Sequence, residues 1–167
     1  MIKYYRTMDH QIHEISEPME GTWISLIHPT AAELAKIATD YKIDIDDLRA
    51  PLDEEERSHI EVEEGYTLFI VDVPTTEERK EKEYFLTIPC GIILTEKVII
   101  TVCLEDTAVL ADLRMEGFEI SGHLKGQDLS CRSFIGMHPC ICSICESLIR
   151  RVILLRSSFI FQQRTRN

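Results

Sequence analysis

The eight residues YTLFIVDV, at positions 66–73, restrict the fold more than any other part of this 167-residue chain. Apolar residues occupy both alternating sets of positions, so an extended segment here would need to be covered on both of its faces. A strand of this kind belongs in the interior of a sheet. The chain therefore needs partner strands beside this segment and packing elements above and below it.

The segments on either side supply the rest of a fold that mixes helices and strands. Short apolar or alternating runs predict further strands over residues 2–5, 12–15, 22–27, 60–62, 84–88, 91–94 and 98–103. The strand at Ile60 and Val62 alternates with glutamates, as a strand at the edge of a sheet does.

Polar residues mark where three helices are expected to begin. Thr30 and Glu33 have the spacing of a capping box. Asp44 can cap a second, short helix that ends before Pro51, and Asp106 can cap a third. The order of elements predicts an α+β fold, in which a mixed sheet is flanked by helices.

Charge divides the chain into two regions. Residues 1–113 contain 25 acidic and 10 basic residues, whereas residues 114–167 contain 4 and 8. An acidic body of this kind repels the phosphates of nucleic acid, so divalent cations are better candidates as partners. The most apolar stretch, residues 148–161, is interrupted by three arginines, so we expect no transmembrane segment and a cytoplasmic location for this fragment.

The stretch WISLIHPTAAELAKIATDYKIDIDDLRAPLDEEERSHIEVEEGYTLFIVDVP, residues 23–74, resembles the cytosolic amino-terminal domain of the CorA-type magnesium and cobalt transporters. The similarity extends in order and spacing over about residues 2–113. It implies an αβα sandwich, followed by a long stalk helix that leads to the membrane. It also implies a pentamer around the ion path, in which magnesium bound between neighbouring cytosolic domains favours the closed gate.

The family's Gly-Met-Asn pore signature is absent from this sequence. Residues 136–138 read Gly-Met-His and follow no membrane span, so this fragment is not expected to transport ions by itself. The function that the resemblance implies is that of a cytosolic, regulatory, cation-sensing domain of a divalent metal transporter.

The resemblance also implies a regulatory magnesium site. Glu77 is the nearest positional match to the acidic residue with which the family helps to hold this ion, and Glu78 and Asp72 lie close to it in the sequence. We expect these residues at the end of the strand over 66–73 and in the loop after it. Magnesium keeps several waters and takes one or two carboxylates per site, so few side chains from each subunit are enough. A simple solvated loop remains the alternative.

Residues 114–167 depart from the family pattern and form an atypical tail in place of the stalk helix. Glycines at 117, 122, 126 and 136 and a proline at 139 would interrupt a long helix. Codons permitted for residues 114–159, read from their third base, can encode a peptide that resembles the stalk segment. We therefore interpret the tail as the product of a compensated frameshift, and we predict two regions, 1–113 and 114–167.

The tail contains a cluster of cysteines that offers a second interpretation. Cys131, Cys140, Cys142 and Cys145 could supply the four soft ligands of a tetrahedral zinc site, which would make the chain a stand-alone zinc or redox protein. The spacing CxCxxC gives one crowded cluster without a second short-spaced pair, so reduced thiols with no metal are favoured. The sequence contains no Ser/His/Asp pattern, phosphate-binding glycine loop or HExxH motif, and we therefore expect no enzyme.

Overall fold

The computed structural model describes the backbone of residues 1–8, 11–79 and 82–115, and the side chains of these residues except 77–79, 82–85 and 115. Seven strands form one sheet: β1 (Ile2–Met8), β2 (Gln11–Ile15), β3 (Thr22–Ile27), β4 (His59–Glu63), β5 (Tyr66–Arg79), β6 (Lys82–Thr95) and β7 (Val98–Cys103). Their order across the sheet is β2-β1-β3-β7-β6-β5-β4. The pair β3 and β7 is parallel and the other pairs are antiparallel, so the predicted mixed sheet is confirmed.

Helix α1 (Ala31–Tyr41) begins at the predicted capping box. The Glu33 carboxylate accepts a hydrogen bond from the Thr30 N–H at 2.8 Å, and the Thr30 hydroxyl accepts one from the Glu33 N–H at 3.3 Å. Helix α2 (Ile45–Arg49) begins after Asp44, whose carboxylate accepts from the Asp46 N–H at 2.9 Å. A short 3-10 helix (Ala50–Leu52) follows, so Pro51 ends the α-helical geometry as expected.

Helix α3 (Ala108–Met115) corrects one prediction. The residue that caps it is Thr107, whose hydroxyl accepts a hydrogen bond from the Leu110 N–H at 3.4 Å. Asp106, the predicted cap, instead accepts from Arg114 Nη2 at 2.6 and 2.7 Å. A carboxylate beside the first turn of a helix can either cap the helix or pair with a cation. Asp106 does the second, with Arg114 at the far end of the same helix.

Helices cover both faces of the sheet. On one face, α1 and α2 pack on the central strands through a cluster that includes Leu34, Ile37, Leu48, Ile70 and Ile100. On the other face, α3 packs through Val109, Leu110 and Leu113 on a cluster that includes Trp23, Cys90, Ile92 and Cys103. Residues 66–70 lie between β4 and β6, so the interior position predicted for this segment is confirmed over these five residues, whereas residues 71–73 pair with β6 alone.

The hairpin of β5 and β6 is longer than the sequence predicted. A strand over 66–73 and separate strands over 84–88 and 91–94 were expected, and Pro74 and Pro89 lie directly after the first two of these segments. Instead β5 continues to Arg79, and β6 runs without a break from Lys82 to Thr95.

The prolines are tolerated because of where the neighbouring strands pair. The β4 ladder covers residues 66–70 of β5, and the β7 ladder covers residues 90–94 of β6. Pro74 and Pro89 lie beyond these ladders, in a ribbon where β5 and β6 pair with each other. A strand in such a ribbon has an unpaired side, and a proline there removes no hydrogen bond from a ladder.

Candidate functional site

Asp72 lies in β5, at the position that pairs with Pro89 of β6. Its side chain is half-buried, and its Oδ2 atom accepts a hydrogen bond from the Ser58 hydroxyl at 2.8 Å. Ser58 immediately precedes β4. Asp72 therefore ties the entry of the edge strand to its neighbour, which is a structural use for a residue that was predicted as a possible magnesium ligand.

Glu77 and Glu78 lie farther along the same strand, opposite Tyr84 and Glu83 of β6. Their expected position in a loop after residue 73 is wrong, because β5 continues through the ribbon to Arg79. Glu77 is five residues after Asp72 along the strand, and at about 3.3 Å per residue this is roughly 16 Å of backbone. Glu77 and Glu78 are thus consecutive in β5, at positions that belong to opposite faces of the ribbon, and Asp72 lies well away from both along the strand.

Among the side chains that the structure describes, which exclude those of residues 77–79 and 82–85, no three His, Cys, Asp or Glu residues are grouped so that they could hold a metal ion. A magnesium site at Glu77 and Glu78 stays a prediction. Cys131, Cys140, Cys142 and Cys145, the predicted zinc ligands, lie outside the described residues. The interpretation of residues 114–167 as an atypical tail is likewise a prediction.

Sequence reasoning missed a pair of cysteines in the sheet. Cys90 of β6 and Cys103 of β7 are directly opposite each other, and each is at most 1% exposed. A signal was available, because the strands over 91–94 and 98–103 were both predicted. A tight turn at residues 96 and 97 sets a register that pairs position 90 with position 103.

The two thiols differ in acidity. The Cys90 thiol donates a hydrogen bond to the Gly91 carbonyl oxygen at 3.9 Å, and the Cys103 thiol donates one to the Pro89 carbonyl oxygen at 3.6 Å. The neighbouring Cys90 thiol, helped by the N–H groups of Glu105 and Leu104, lowers the pKa of Cys103, whereas Cys103 and burial raise the pKa of Cys90 well above its usual value. The thiolate form is therefore favoured at Cys103 over Cys90.

A second polar pair joins α2 to the sheet. The Tyr66 hydroxyl donates to Asp47 Oδ2 at 2.5 Å and accepts from the Asp44 N–H at 3.2 Å. Burial, followed by the bond to Asp47, raises the pKa of Tyr66 to about 12. This phenol holds the start of α2 against β5, and its geometry indicates a structural role.

Every helix in the described part of the chain is too short or too polar to cross a membrane. The arrangement of these elements, a mixed seven-stranded sheet between helices, defines the class of α+β domains to which the soluble domain of CorA belongs.

The family follows from the sequence itself. A family model described as "CorA-like Mg2+ transporter protein" matches residues 19–137. This match covers more than half of the chain, and the protein therefore belongs to the CorA-like family of magnesium transporters. The match continues past the predicted boundary at Leu113, into the segment that was assigned to the tail. No curated protein matches the chain.

Three solved structures show the same fold. The complete CorA magnesium transporter from Methanocaldococcus jannaschii matches with 20% identity and a TM-score of 0.54, over 68% of this chain and 35% of that one. The soluble domain of CorA from the same organism matches with 21% identity and a TM-score of 0.56, over 99% and 64%. The full-length CmaX protein matches with 14% identity and a TM-score of 0.58, over 98% and 49%. The chain thus spans less than two thirds of each of these proteins.

Proposed function

We propose that this chain is the regulatory, cation-sensing cytosolic domain of a CorA-like transporter of divalent metal ions, magnesium and cobalt above all. The observation that carries the proposal is the family match over residues 19–137, supported by a fold shared with the soluble domain of CorA. The domain lies on the cytoplasmic side of the cell membrane.

The mechanism is a linkage between bound cations and the arrangement of subunits. The acidic bodies of neighbouring copies repel one another, and magnesium bound between them stabilises the closed assembly, a pentamer in the complete protein. A ligand shifts such an equilibrium by the difference in its affinity for the two states. A complete switch requires about 5 kcal/mol, which several weak sites around a ring can supply.

Glu77 and Glu78 are the proposed ligands. They occupy successive positions of β5, which belong to opposite faces of the ribbon, so each face offers one of the two residues to a hard cation. Glu83 of β6 is at the position opposite Glu78. Asp72 is the weaker candidate, since it accepts a hydrogen bond from Ser58 and lies roughly 16 Å of strand away from Glu77. One copy offers few ligands, so magnesium is expected to bind it weakly.

Thermal unfolding at increasing magnesium concentration tests the proposal. At a concentration equal to the dissociation constant a single site adds roughly 0.4 kcal/mol, and at a tenfold excess about 1.4 kcal/mol. The midpoint should therefore rise modestly, and Glu77→Gln should reduce the rise. Glu96→Gln is the matched control, because it removes the same charge from an exposed position in the turn between β6 and β7.

Two results would count against this assignment. If sodium chloride at matched ionic strength raises the unfolding midpoint as much as magnesium does, general screening of charges accounts for the rise. The ligand assignment is wrong if Glu77→Gln and Glu96→Gln have equal effects. Zinc that is retained by the purified chain and lost on replacement of Cys140 and Cys142 would instead support the stand-alone zinc protein.

Assembly gives an independent test. The isolated chain is expected to sediment as a monomer or weak dimer, because its acidic body opposes association and the stalk that would bundle around the axis is altered. A stable pentamer at micromolar concentration would contradict this expectation.

A further inference from the structure

Cys90 and Cys103 are the two free cysteines in the described part of the chain, and neither has a place in the proposed cation sensor. They are opposite each other at the end of the β6 and β7 ladder, on the face of the sheet that α3 covers. Val109, Leu110 and Leu113 of α3 belong to the same buried cluster. The pair thus lies within the core, directly below the last described helix.

The type of pairing brings the two side chains close together. The Cys103 carbonyl oxygen accepts a hydrogen bond from the His28 N–H at 3.0 Å, on the β3 side of β7. The N–H and C=O of one strand residue point to the same side, so those of Cys103 point away from β6. Cys90 and Cys103 therefore form a non-hydrogen-bonded pair, the kind in which opposing side chains approach most closely.

This spacing suits a covalent link. Cα atoms in non-hydrogen-bonded pairs are typically about 4.5 Å apart, within the range of about 4.4–6.8 Å that disulfides span. The Cys103 sulfur lies 3.6 Å from the carbonyl oxygen of Pro89, the residue next to Cys90, and both cysteines belong to the same buried cluster. Because the two residues are already paired across the ladder, a disulfide between them leaves the register of the strands unchanged.

From this pairing we propose that Cys90 and Cys103 are a site of reversible oxidation, at which a peroxide converts the two thiols into a cross-strand disulfide. The Cys103 thiolate attacks one oxygen of hydrogen peroxide, the O–O bond breaks, and Cys103 becomes a sulfenic acid while the released hydroxide takes a proton and forms water. The Cys90 sulfur then attacks the Cys103 sulfur, the S–S bond forms, and the S–O bond breaks. The hydroxide that leaves takes the Cys90 proton and forms a second water. The pair loses two electrons in total, and the peroxide gains them.

The two sulfurs have distinct parts in this sequence. The neighbouring Cys90 thiol and the N–H groups of Glu105 and Leu104 lower the pKa of Cys103, so Cys103 attacks first and Cys90 resolves the sulfenic acid. Both groups are buried, so the oxidant must be small or must enter during local opening of the core. Dithiothreitol would reverse the reaction by thiol exchange.

Peptide mapping of the full chain, kept folded during oxidation, tests the proposal. Trypsin cleaves after Lys82, Lys97 and Arg114, so each cysteine falls in its own peptide, 83–97 or 98–114. After treatment with hydrogen peroxide, alkylation of free thiols and digestion without reductant, we expect these two peptides joined, with two hydrogen atoms fewer than their sum. Dithiothreitol should separate them.

Single variants assign the roles. In Cys90→Ser, the sulfenic acid at Cys103 has no resolving thiol, so dimedone should label peptide 98–114. In Cys103→Ser, dimedone should leave peptide 83–97 unlabelled. A variant with serine at Cys131, Cys140, Cys142 and Cys145 should still form the link, which separates the pair from any exchange with the tail.

The proposal is overturned by either of two results. One is recovery of both peptides in alkylated form from wild-type protein, at a peroxide dose that fully oxidises an equal concentration of glutathione. The other is a joined peptide that appears only when oxidation is carried out in concentrated urea, because the link would then belong to the unfolded chain.

Discussion

Gly91 of β6 allows the short 3-10 helix to sit directly on the sheet, and Gly91→Ala should disturb that contact. A Cβ atom at this position would lie 2.3 Å from Pro51 Cγ and 3.1 Å from Pro51 Cβ. Carbon atoms pack best at about 3.5–4.0 Å, so the 3-10 helix would need to move by roughly 1 Å or more. Pro51 is buried and follows the fully buried Leu48 by one turn, so the displaced atoms have little free space.

The magnitude follows from two opposing effects. Overpacking in a filled core typically costs about 1–3 kcal/mol. Replacement of a strand glycine by alanine returns roughly 0.5–1 kcal/mol, because the unfolded chain has less freedom to lose. The net expectation is a loss of about 1–2 kcal/mol. For a chain of this size, that corresponds to a fall of roughly 3–8 °C in the midpoint of thermal unfolding.

Thermal and urea unfolding, followed by circular dichroism under reducing conditions, would measure this loss. Pro51→Ala provides the matched background, since it removes the Cγ atom that the new methyl group meets. In that background Gly91→Ala should cost less, with a coupling energy between the two sites of about 0.5 kcal/mol or more. The reasoning is refuted if Gly91→Ala leaves the wild-type midpoint unchanged, or if its cost is the same with proline and with alanine at position 51.

Two further substitutions test polar contacts of the helices. Tyr66→Phe should lower the free energy of unfolding at pH 7 by about 1–2 kcal/mol, because Asp47 loses its donor. In the folded protein the pKa of Tyr66 is about 12, above the ordinary 10.0. The stability that the Tyr66 hydroxyl adds is therefore complete below pH 10 and is lost as pH rises toward 12. A difference between wild type and Tyr66→Phe that stays constant in urea unfolding at pH 7, 10 and 11 would contradict this. Thr30→Ala should cost about 1 kcal/mol through loss of the helix cap, whereas Thr39→Ala, an exposed site inside the same helix, should cost nothing in the same assay.

Much of the fold could be predicted because local signals and tertiary needs agree. The strands over 22–27 and 98–103 were predicted at their observed ends, since each is an apolar run bounded by polar or turn residues. The capping box at Thr30 and Glu33 uses neighbouring backbone groups alone, so the sequence contains all that it needs. The strand at Ile60 and Val62 was correctly placed at an edge, where these side chains are 64% and 68% exposed.

Predictions failed where a residue's role depends on parts of the chain distant in sequence. Asp106 has a side chain that could cap the helix, but its carboxylate accepts hydrogen bonds from Arg114, two turns later. Thr107 caps the helix instead. Pro74 and Pro89 end strands when the segment is considered alone. They are harmless here because the ladders of β4 and β7 have already ended. No local pattern records where a neighbouring strand ends.

The same long-range effect changes what the proposed magnesium site requires. A loop after residue 73 would have let Glu77 fold back toward Asp72, so that one copy could offer several carboxylates to a single ion. A two-stranded ribbon instead holds the backbone of Glu77 roughly 16 Å from that of Asp72. Glu78, the next residue of the strand, belongs to the opposite face of the ribbon. Magnesium at Glu77 would then complete its shell with water or with groups from another copy of the chain. Dependence on another copy makes the ion sensitive to the arrangement of subunits, which is the property that a cation sensor in an oligomeric transporter needs.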